Sequence, residues 1–359
     1  MKIAIILGTR PEIIKMSPIV RELEKRNIAY FILHTGQHYS YNMDRIFFEQ
    51  LRLPEPKYNL EVGSGSHAEQ TGKMMIGIEQ VLMKEEPDIV LVQGDTNTVL
   101  AGALAAVKLM IKIGHVEAGL RSFNREMPEE INRLLTDHIS DYLFAPTKNA
   151  KQNLLNEGID QHKIYVTGNT IVDAINQNLQ LAKNSKILDL LNLNRREYFL
   201  LTLHRQENVD KEYRLKKIIK GVTLLAREFD IPIIYPIHPR SRKRLEQFNI
   251  KIDKKIKLIE PLDYFSFLNL ESNAKLILTD SGGVQEEACI LKVPCVTLRY
   301  STERPETIKV GANILAGSEP SSILEKVKIM LKKPRNWPNP FGDGTASIKI
   351  INILSSSIN

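Results

Sequence analysis

The chain has 359 residues, of which 43% are hydrophobic and 25% are charged, which is typical of a globular protein with two domains. The net charge of +7 is not gathered into a basic stripe with interleaved aromatic residues, and no apolar run is long enough to cross a membrane, so we expect neither nucleic acid nor a membrane as a partner. Two cysteines in apolar settings and a short N-terminal apolar run predict no disulfide framework and no signal peptide, so we expect a cytoplasmic protein.

Short apolar runs alternate with amphipathic stretches along the whole chain. The strands predicted in the first half are Lys2–Leu7, Tyr30–His34, Asp88–Gln93, Ile111–Val116, Asp141–Ala145 and Lys163–Thr167. The helices predicted among them are Ile13–Lys25, Ala68–Met83, Thr98–Leu109, Pro128–Ser140 and Asn149–Glu157. The strands predicted in the second half are Phe199–Leu203, Pro232–Pro236, Ile256–Ile259, Lys275–Leu278 and Val293–Leu298. This alternation predicts an α/β fold with two doubly wound parallel sheets and a cleft between the two domains.

A polar helical stretch at about 172–194 separates the two series of strands. We therefore predict a first domain at residues 1–170 and a second at residues 171–345. The segment 332–344 is rich in Pro, Asn and Gly and is predicted to be a connection. The helix predicted at Ala346–Leu354, in the terminal segment 346–359, is expected to cross back onto the first domain.

Two adjacent glycines after a buried strand indicate an anion-binding turn. Ser281, Gly282 and Gly283 follow the strand at 275–278 and come before Ala288–Leu291, where a helix is predicted to start. Glycines allow backbone N–H groups to approach a ligand closely, and a helix N-terminus carries a partial positive charge. We predict that this turn binds a phosphate and that Glu287, about one turn in, faces a sugar hydroxyl. The alternative is a Gly-Gly turn before a capped helix.

Polar clusters follow the other predicted strands at their carboxyl ends, where open parallel sheets bind ligands. These clusters are Gly8–Glu12, Gly36–His38, Gln93–Thr96, Glu117–Arg121, His204–Asn208 and His238–Arg240. Charged residues directly after buried strands lower stability unless they are paired or used. Together with the Gly-Gly turn, the clusters predict one site between the two domains.

Three cations in or near these clusters are candidates for binding a diphosphate, namely Arg10, Lys15 and Arg304. A guanidinium group binds phosphate oxygens bidentately and stabilises the charge of a leaving diphosphate. The alternative for Arg10 and Lys15 is that they are surface cations beside a capped helix.

Four carboxylates are candidates for acid–base chemistry, namely Asp95, Glu117, Glu129 and Glu130. Neighbouring carboxylates in a closed cleft raise one another's pKa values, so that one stays protonated while another is ionised. The alternative for Asp95 is a helix cap, and for Glu129 and Glu130 it is a favourable position in a first helical turn. Glu117 has no evident capping role.

His204 and His238 follow two strands of the second half, and an arginine comes soon after each. This arrangement favours a role facing an anion. The two histidines, with Asp95 and Glu117, match no known metal-ligand spacing, so no metal is predicted.

Eight motifs of the chain, in this order, resemble those of the non-hydrolysing UDP-N-acetylglucosamine 2-epimerases. They are GTRPEIIK at 8–15, QGDT at 93–96, HVEAGLRS at 115–122, PEEINR at 128–133, HRQEN at 204–208, HPR at 238–240, TDSGGVQEE at 279–287 and TERPE at 302–306. The resemblance covers nearly the whole chain. It implies a GT-B fold of two Rossmann-like domains and reversible conversion of UDP-GlcNAc to UDP-ManNAc without a metal or nicotinamide cofactor. It also implies a homodimer, with UDP-GlcNAc as an allosteric activator in several members.

The resemblance also assigns roles to individual residues. The catalytic set is Asp95, Glu117, Glu129 and His204. The substrate-binding set is Arg10, Lys15, Phe267, Ser281, Gly282, Gly283, Glu287 and Arg304, in which Phe267 lines the uracil and Glu287 holds the ribose hydroxyls. The allosteric set is Glu130, Arg205 and His238. The segment 39–42 and Lys73 depart from the family pattern on the allosteric side.

The implied mechanism is elimination of UDP to 2-acetamidoglucal, followed by re-addition with the proton delivered to the other face of the sugar. The implied role is supply of a precursor for surface polysaccharide or glycan synthesis. Three alternatives remain open at this stage: a hydrolysing epimerase of the same fold, a GT-B glycosyltransferase, and a non-catalytic UDP-sugar sensor.

Overall fold

The computed structural model of the chain describes residues 1–36 and 41–357, so residues 37–40, which include part of one predicted cluster and of the departing segment 39–42, lie outside it. The chain separates into two units, Met1–Gln177 with Phe341–Asn359, and Asn178–Pro340. The boundary at Gln177 falls inside a helix, and the connection at Pro340 falls inside the predicted connecting segment 332–344.

The first unit contains a seven-stranded parallel sheet. Its strands are β1 (Lys2–Leu7), β2 (Ala29–His34), β3 (Tyr58–Asn59), β4 (Ile89–Gln93), β5 (Lys112–Val116), β6 (Tyr142–Ala145) and β7 (Ile164–Val166). The helices that follow them are α1 (Arg10–Lys25), α2 (Tyr41–Gln50), α3 (His67–Glu85), α4 (Asn97–Lys108), α5 (Pro128–Ile139), α6 (Lys148–Asn156) and α7 (Thr170–Ala182). The strand order is β3-β2-β1-β4-β5-β6-β7, so the direction of winding reverses between β1 and β4.

The second unit contains a six-stranded parallel sheet. Its strands are β8 (Phe199–Thr202), β9 (Ile233–Pro236), β10 (Ile256–Ile259), β11 (Leu276–Thr279), β12 (Cys295–Thr297) and β13 (Asn313–Leu315). Its helices are α8 (Ile187–Leu190), α9 (Gln206–Val209), α10 (Glu212–Phe229), α11 (Pro239–Gln247), α12 (Tyr264–Asn273), α13 (Gly282–Ile290), α14 (Pro305–Lys309) and α15 (Pro320–Leu331). The order β10-β9-β8-β11-β12-β13 places the reversal between β8 and β11.

The terminal helix α16 (Ala346–Ser357) belongs to the first unit and packs against α1. Its first turn is capped by Asp173 of α7, whose carboxylate accepts hydrogen bonds from the backbone N–H groups of Ala346 and Ser347 at 3.2 and 2.9 Å. A carboxylate at a helix N-terminus satisfies N–H groups that have no partner within the helix. This cap orients the last helix of the described chain on the first unit.

The cores of both sheets follow from the continuous apolar runs of their strands. In β8, for example, Leu200 and Leu201 are both fully buried but contribute to different apolar clusters, because successive side chains point to opposite faces. Burial on both faces requires helices on both faces. The predicted α/β class with two doubly wound parallel sheets is therefore confirmed, with one sheet in each unit.

The structure also differs from the sequence prediction in places. The stretch 172–194, predicted as one polar helical segment, contains two helices, α7 and α8, with a turn at Lys183 and Asn184 between them. Strands β3 and β13 were not predicted, because two or three residues are too few to show a periodic pattern. None of the helices in the described residues is long and apolar enough to cross a membrane.

Candidate active site

In the first unit, the turns after β1 and β4 meet where the winding reverses, which is where ligands bind in doubly wound sheets. Glu12 joins the two turns. Its Oε2 accepts hydrogen bonds from the N–H groups of Gly8 and Thr9 at 2.5 and 2.9 Å, and its Oε1 accepts one from Thr96 Oγ1 at 2.5 Å. Burial raises the pKa of Glu12 to about 7, although the three hydrogen bonds act in the opposite direction.

Gly8 allows this close approach of the two turns. A Cβ atom at position 8 would lie 2.1 Å from Thr98 Oγ1 and 2.3 Å from Thr35 Oγ1. The hydroxyl groups of Thr35 and Thr98 are themselves hydrogen-bonded at 2.9 Å. Any side chain at position 8 would therefore separate β1 from the start of α4.

Glu117, at the end of β5, has an unusual backbone and a buried ion pair. Its φ of +72° lies in the left-handed region, which is rare for a residue other than glycine and is often found at functional sites. Its Oε2 lies 2.5 Å from Lys15 Nζ and accepts a hydrogen bond from Gln93 Nε2 at 3.0 Å, with Asn169 Nδ2 at 3.4 Å. Lys15 and Glu117 are each only 6% exposed. A predicted diphosphate contact and a predicted catalytic carboxylate thus lie together.

Asp95 is held by Arg133 of α5. The Nε and Nη2 atoms of Arg133 lie 3.0 and 2.6 Å from Asp95 Oδ2, while its Nη1 lies 2.6 Å from Glu130 Oε2. Glu130 is buried and also accepts hydrogen bonds from the backbone N–H groups of Ser122 and Phe123, each at 2.9 Å. Glu130, predicted to contact an allosteric ligand, therefore fixes a turn. Sequence reasoning did not single out Arg133, although it lies in the PEEINR motif.

The other two predicted residues of this unit lie at helix starts. Glu129 is half-buried in the first turn of α5. Arg10 begins α1, and its guanidinium carbon lies 5.2 Å from the centre of the Phe47 ring, a favourable cation–π distance.

In the second unit, the turns after β8 and β11 meet at the corresponding reversal. Asp280 is fully buried there and accepts hydrogen bonds from the backbone N–H groups of His204 and Arg205, at 3.1 and 2.9 Å. It also accepts one from Asn208 Nδ2 at 3.2 Å. The buried carboxylate therefore fixes the HRQEN segment beside the Gly-Gly turn. A buried acid after a strand was the only signal in the sequence for this role.

The helix after β11 begins earlier than predicted. Ser281 is the N-cap of α13, whose Oγ accepts a hydrogen bond from Val284 N at 3.5 Å, so Gly282 and Gly283 form the first turn. The prediction of a helix start at Ala288 is therefore wrong, because Ser281 caps the helix N-terminus seven residues earlier. The N–H groups of this first turn, and not those of a turn before Ala288, are therefore the candidate hydrogen-bond donors to a phosphate.

The two glycines of this turn differ in their surroundings. A Cβ atom on Gly282 would lie 2.4 Å from Glu303 Oε1, whereas one on Gly283 would meet no protein atom closer than Ser281 Oγ at 3.9 Å. Glu303 is itself held by Arg299 at 2.9 Å and by Arg205 at 3.1 Å. Gly282 therefore allows the helix start to pack on a buried ion-pair network.

Arg304 and Glu287 lie close to the same turn. Arg304 Nε is 2.6 Å from Glu286 Oε1, and both side chains are buried. Glu287 is 8% exposed and faces Glu271 of α12. Burial and the neighbouring Glu287 carboxylate raise the pKa of Glu271 well above its usual value.

The remaining predicted residues of the second unit are His204, His238 and Phe267. The two histidine rings have centroids 6.1 Å apart, and His238 Nδ1 accepts a hydrogen bond from Arg240 N at 3.1 Å as the N-cap of α11. Phe267 is half-buried on α12, where it packs against an apolar cluster that includes Val284. Among the described residues, no group of three or more His, Cys, Asp and Glu side chains is arranged to hold a metal ion.

Comparisons with known proteins identify the relatives of this chain. A family model described as UDP-N-acetylglucosamine 2-epimerase matches residues 21–355. The UDP-N-acetylglucosamine 2-epimerase of Methanocaldococcus jannaschii is 64% identical over 362 residues, which cover 99% of each chain. The crystal structure of the M. jannaschii UDP-GlcNAc 2-epimerase in complex with UDP-GlcNAc and UDP has a TM-score of 0.95 at 63% identity and covers 99% of this chain and 100% of that one. The crystal structure of the Neisseria meningitidis UDP-GlcNAc 2-epimerase bound to UDP-GlcNAc has a TM-score of 0.93 at 36% identity. This match covers 99% of this chain and 100% of that one.

Proposed function

Since the chain belongs to the UDP-N-acetylglucosamine 2-epimerase family and has the GT-B fold of its relatives, we propose that it interconverts UDP-GlcNAc and UDP-ManNAc. The resemblance inferred from the motifs is confirmed at the level of the family. The observation that carries the proposal is Glu117, a buried carboxylate on a left-handed backbone after β5, paired with Lys15 of α1. In this proposal each predicted domain has its own role. The first, residues 1–170 with 346–359, supplies the proton transfers, and the second, residues 171–345, binds the leaving UDP.

The chemistry begins with departure of UDP, because the hydrogen on C2 of the sugar is not acidic beside an acetamido group. As the C1–O bond to UDP breaks, positive charge develops at C1 and makes the C2 hydrogen removable. A base takes that proton, and the electron pair of the C–H bond forms the C1–C2 double bond of 2-acetamidoglucal. Re-addition of UDP to C1, with a proton delivered to C2 on the other face, gives the epimer.

Carboxylates of the first unit supply the proton transfers in this proposal. Asp95, Glu117 and Glu129 are the candidate acid and base, and the epimerisation needs one on each face of the sugar. Asp95 and Glu117 are supported by their fixed partners, Arg133 and Lys15 respectively. Such preorganised groups do not need to reorient during the reaction, which lowers the barrier.

Groups of the second unit hold the leaving UDP. Ser281, Gly282 and Gly283 offer a hydroxyl and helix N-terminal N–H groups to the phosphates, with Arg304 adding a guanidinium. Arg10 of the first unit is a further cation for the diphosphate, and His204 is a member of the catalytic set. Glu287 accepts from the ribose hydroxyls and Phe267 lines the uracil.

The test is incubation of the purified chain with UDP-GlcNAc in deuterated water, with the products read by NMR. Deuterium at C2 of both UDP-sugars is expected, and product without the isotope would reject the elimination mechanism. Release of free ManNAc and UDP would instead identify a hydrolysing epimerase. Turnover that requires an acceptor would identify a glycosyltransferase, and binding without turnover a sensor.

Replacement of one atom in Glu117 gives a second test. Glu117→Gln keeps the shape of the side chain but removes the charge that pairs with Lys15. We expect at least a 100-fold loss of kcat with binding of UDP unchanged, because general acid–base catalysis is worth about 10²- to 10⁴-fold. A variant with nearly normal turnover would remove Glu117 from the catalytic set.

Regulation and assembly follow the family expectation in this proposal. We propose a cytoplasmic homodimer that is activated by UDP-GlcNAc and supplies surface polysaccharide or glycan synthesis, with Glu130, Arg205 and His238 on the allosteric side. If UDP-GlcNAc is an activator, UDP-ManNAc alone will be converted slowly until a trace of UDP-GlcNAc is added. Equal rates with and without that trace would contradict activation, and sedimentation velocity would measure the oligomeric state.

A further inference from the structure

His115 is a fully buried histidine on β5, two residues before Glu117, and the proposed mechanism does not use it. Its Nδ1 lies 2.7 Å from Asp137 Oδ1 on α5. Its Nε2 lies 2.8 Å from the carbonyl oxygen of Gly94, the residue before Asp95. The ring therefore connects α5 with the turn that carries Asp95.

Asp137 connects the same ring to the turn that carries Glu117. Its Oδ2 accepts a hydrogen bond from Gly119 N at 3.1 Å and lies 2.7 Å from Arg121 Nη2. Arg121 also makes a bidentate ion pair with Glu157 of the turn after α6, at 2.7 and 2.6 Å. Asp137 is fully buried, and although burial by itself raises its pKa, the charges and hydrogen bonds of His115 and Arg121 outweigh it and lower the pKa.

The partners of His115 determine where its hydrogens lie. The Gly94 carbonyl can only accept, so Nε2 carries a hydrogen, and Nδ1 faces a carboxylate that also accepts. Both ring nitrogens therefore face acceptors, and Arg121 is paired with both Asp137 and Glu157. A buried group of this kind is tolerated when its charges are paired and hydrogen-bonded.

The turn after β5 has a geometry that needs such support. Glu117 has φ of +72° and Gly119 has φ of +81°, and a Cβ atom on Gly119 would lie 2.4 Å from the carbonyl oxygen of Ala150. A non-glycine residue keeps such a backbone only when the surrounding structure enforces it. The hydrogen bond from Gly119 N to Asp137 is one contact that does so.

We propose that His115 and Asp137 are positioning residues. They hold the turns that carry Asp95 and Glu117 at the relative positions that epimerisation requires. This inference rests on the proposed function, since it takes Asp95 and Glu117 as catalytic carboxylates. Both side chains of the pair are fully buried, so they act through these turns and not by contact with substrate. A displacement of about 1 Å in a catalytic group lowers the rate by about 10²-fold.

Two substitutions separate the two links of His115. His115→Gln keeps a donor near the position of Nε2, toward Gly94, and His115→Asn keeps one near the position of Nδ1, toward Asp137. Each variant is expected to lower kcat by about 10- to 100-fold, while KM for UDP-GlcNAc and Kd for UDP stay within about twofold of wild type. The control is Leu143→Ala, which leaves a cavity in neighbouring β6 but keeps both links, and it should lower Tm without changing kcat of the folded protein.

The outcomes distinguish this inference from the proposed function. If wild type incorporates deuterium at C2 but the His115 variants match Leu143→Ala in kcat, the positioning role is refuted and the function stands. If UDP binding falls together with kcat, the substitution acts on the fold as a whole and the positioning role is again refuted. If wild type shows no turnover, the proposed function fails first.

A third substitution covers the case in which the His115 variants do not fold. Asp137→Asn keeps the shape of the side chain and the acceptor for Gly119 N, but removes the negative charge between His115 and Arg121. We expect kcat to fall by about fivefold or more while UDP binding is retained, because a small displacement of a catalytic group has an effect of this size. An Asp137→Asn protein with wild-type kcat would overturn the proposal.

Discussion

Glu12→Gln is expected to remove a pH-dependent loss of stability in the first unit. Burial raises the pKa of Glu12 from 4.5 to about 7, so between these values the folded state binds more protons than the unfolded state. The stabilisation by a raised acid pKa is complete below 4.5 and is lost as the pH rises through about 7. Between pH 5 and 8 the wild type should therefore lose about 2.5 kcal/mol from this group.

The glutamine fits the hydrogen bonds of Glu12 without ionising. Its amide oxygen can accept from the N–H groups of Gly8 and Thr9, and its amide nitrogen can donate to Thr96 Oγ1. The variant should thus keep a nearly constant stability over the same pH range. The free-energy difference between variant and wild type should shift in favour of the variant by about 2.5 kcal/mol from pH 5 to pH 8.

The measurement must report on the first unit, because a two-unit chain need not unfold in one step. Native-state hydrogen exchange of peptides from β1 and α1, read by mass spectrometry, gives the opening free energy of that region. Glu79→Gln, at an exposed position of α3, is the matched control and should show no pH-dependent difference. A difference between Glu12→Gln and wild type that stays constant within about 0.5 kcal/mol would refute the reasoning.

Two further predictions concern the second unit. Gly282→Ala places a Cβ atom 2.4 Å from Glu303 Oε1, so it should lower Tm and weaken UDP binding by about tenfold, or about 1.4 kcal/mol, in calorimetry. Gly283→Ala should leave Tm unchanged, because its Cβ atom would meet no protein atom closer than Ser281 Oγ at 3.9 Å. Equal Tm values for wild type and both variants would contradict this reasoning, because they would show that the Glu303 side chain moves away from the new methyl group without loss of stability. Glu271→Gln should keep Kd for UDP within about twofold, because burial and Glu287 raise the pKa of Glu271 and so favour the uncharged form that the amide resembles. A tenfold weaker Kd would mean that Glu271 acts as a charged group.

Much of the local structure was predictable from sequence periodicity and from end signals. The alternation of apolar runs with amphipathic stretches correctly predicted parallel sheets in both units. Proline lies in the first turn of α1 and α5, where its missing N–H group has no helical partner to lose. The start of α13 was misplaced because two glycines suggested a turn, although Ser281 is a good N-cap and the helix continues through them.

The family was also predictable, because eight motifs in order are specific when taken together, and the comparisons confirm it. The roles of the individual site residues stay predictions. The structure adds contacts that change how some of them are understood. Glu130, for example, supports the turn at Ser122 and Phe123 and binds Arg133, so a substitution there will act on that turn as well as on any ligand.

The amino-acid sequence alone therefore established the α/β class, the family and the polar residues that follow the strands. These features depend on neighbours within a few positions or on short motifs, which a linear pattern records. Lys15 and Glu117 form an ion pair although they are 102 positions apart in the sequence. The link from Gly94 through His115 to Asp137 joins the turn after β4 to strand β5 and helix α5. Such contacts arise because β1, β4 and β5 lie side by side in a strand order that periodicity does not encode, so the three-dimensional arrangement determined which charges meet.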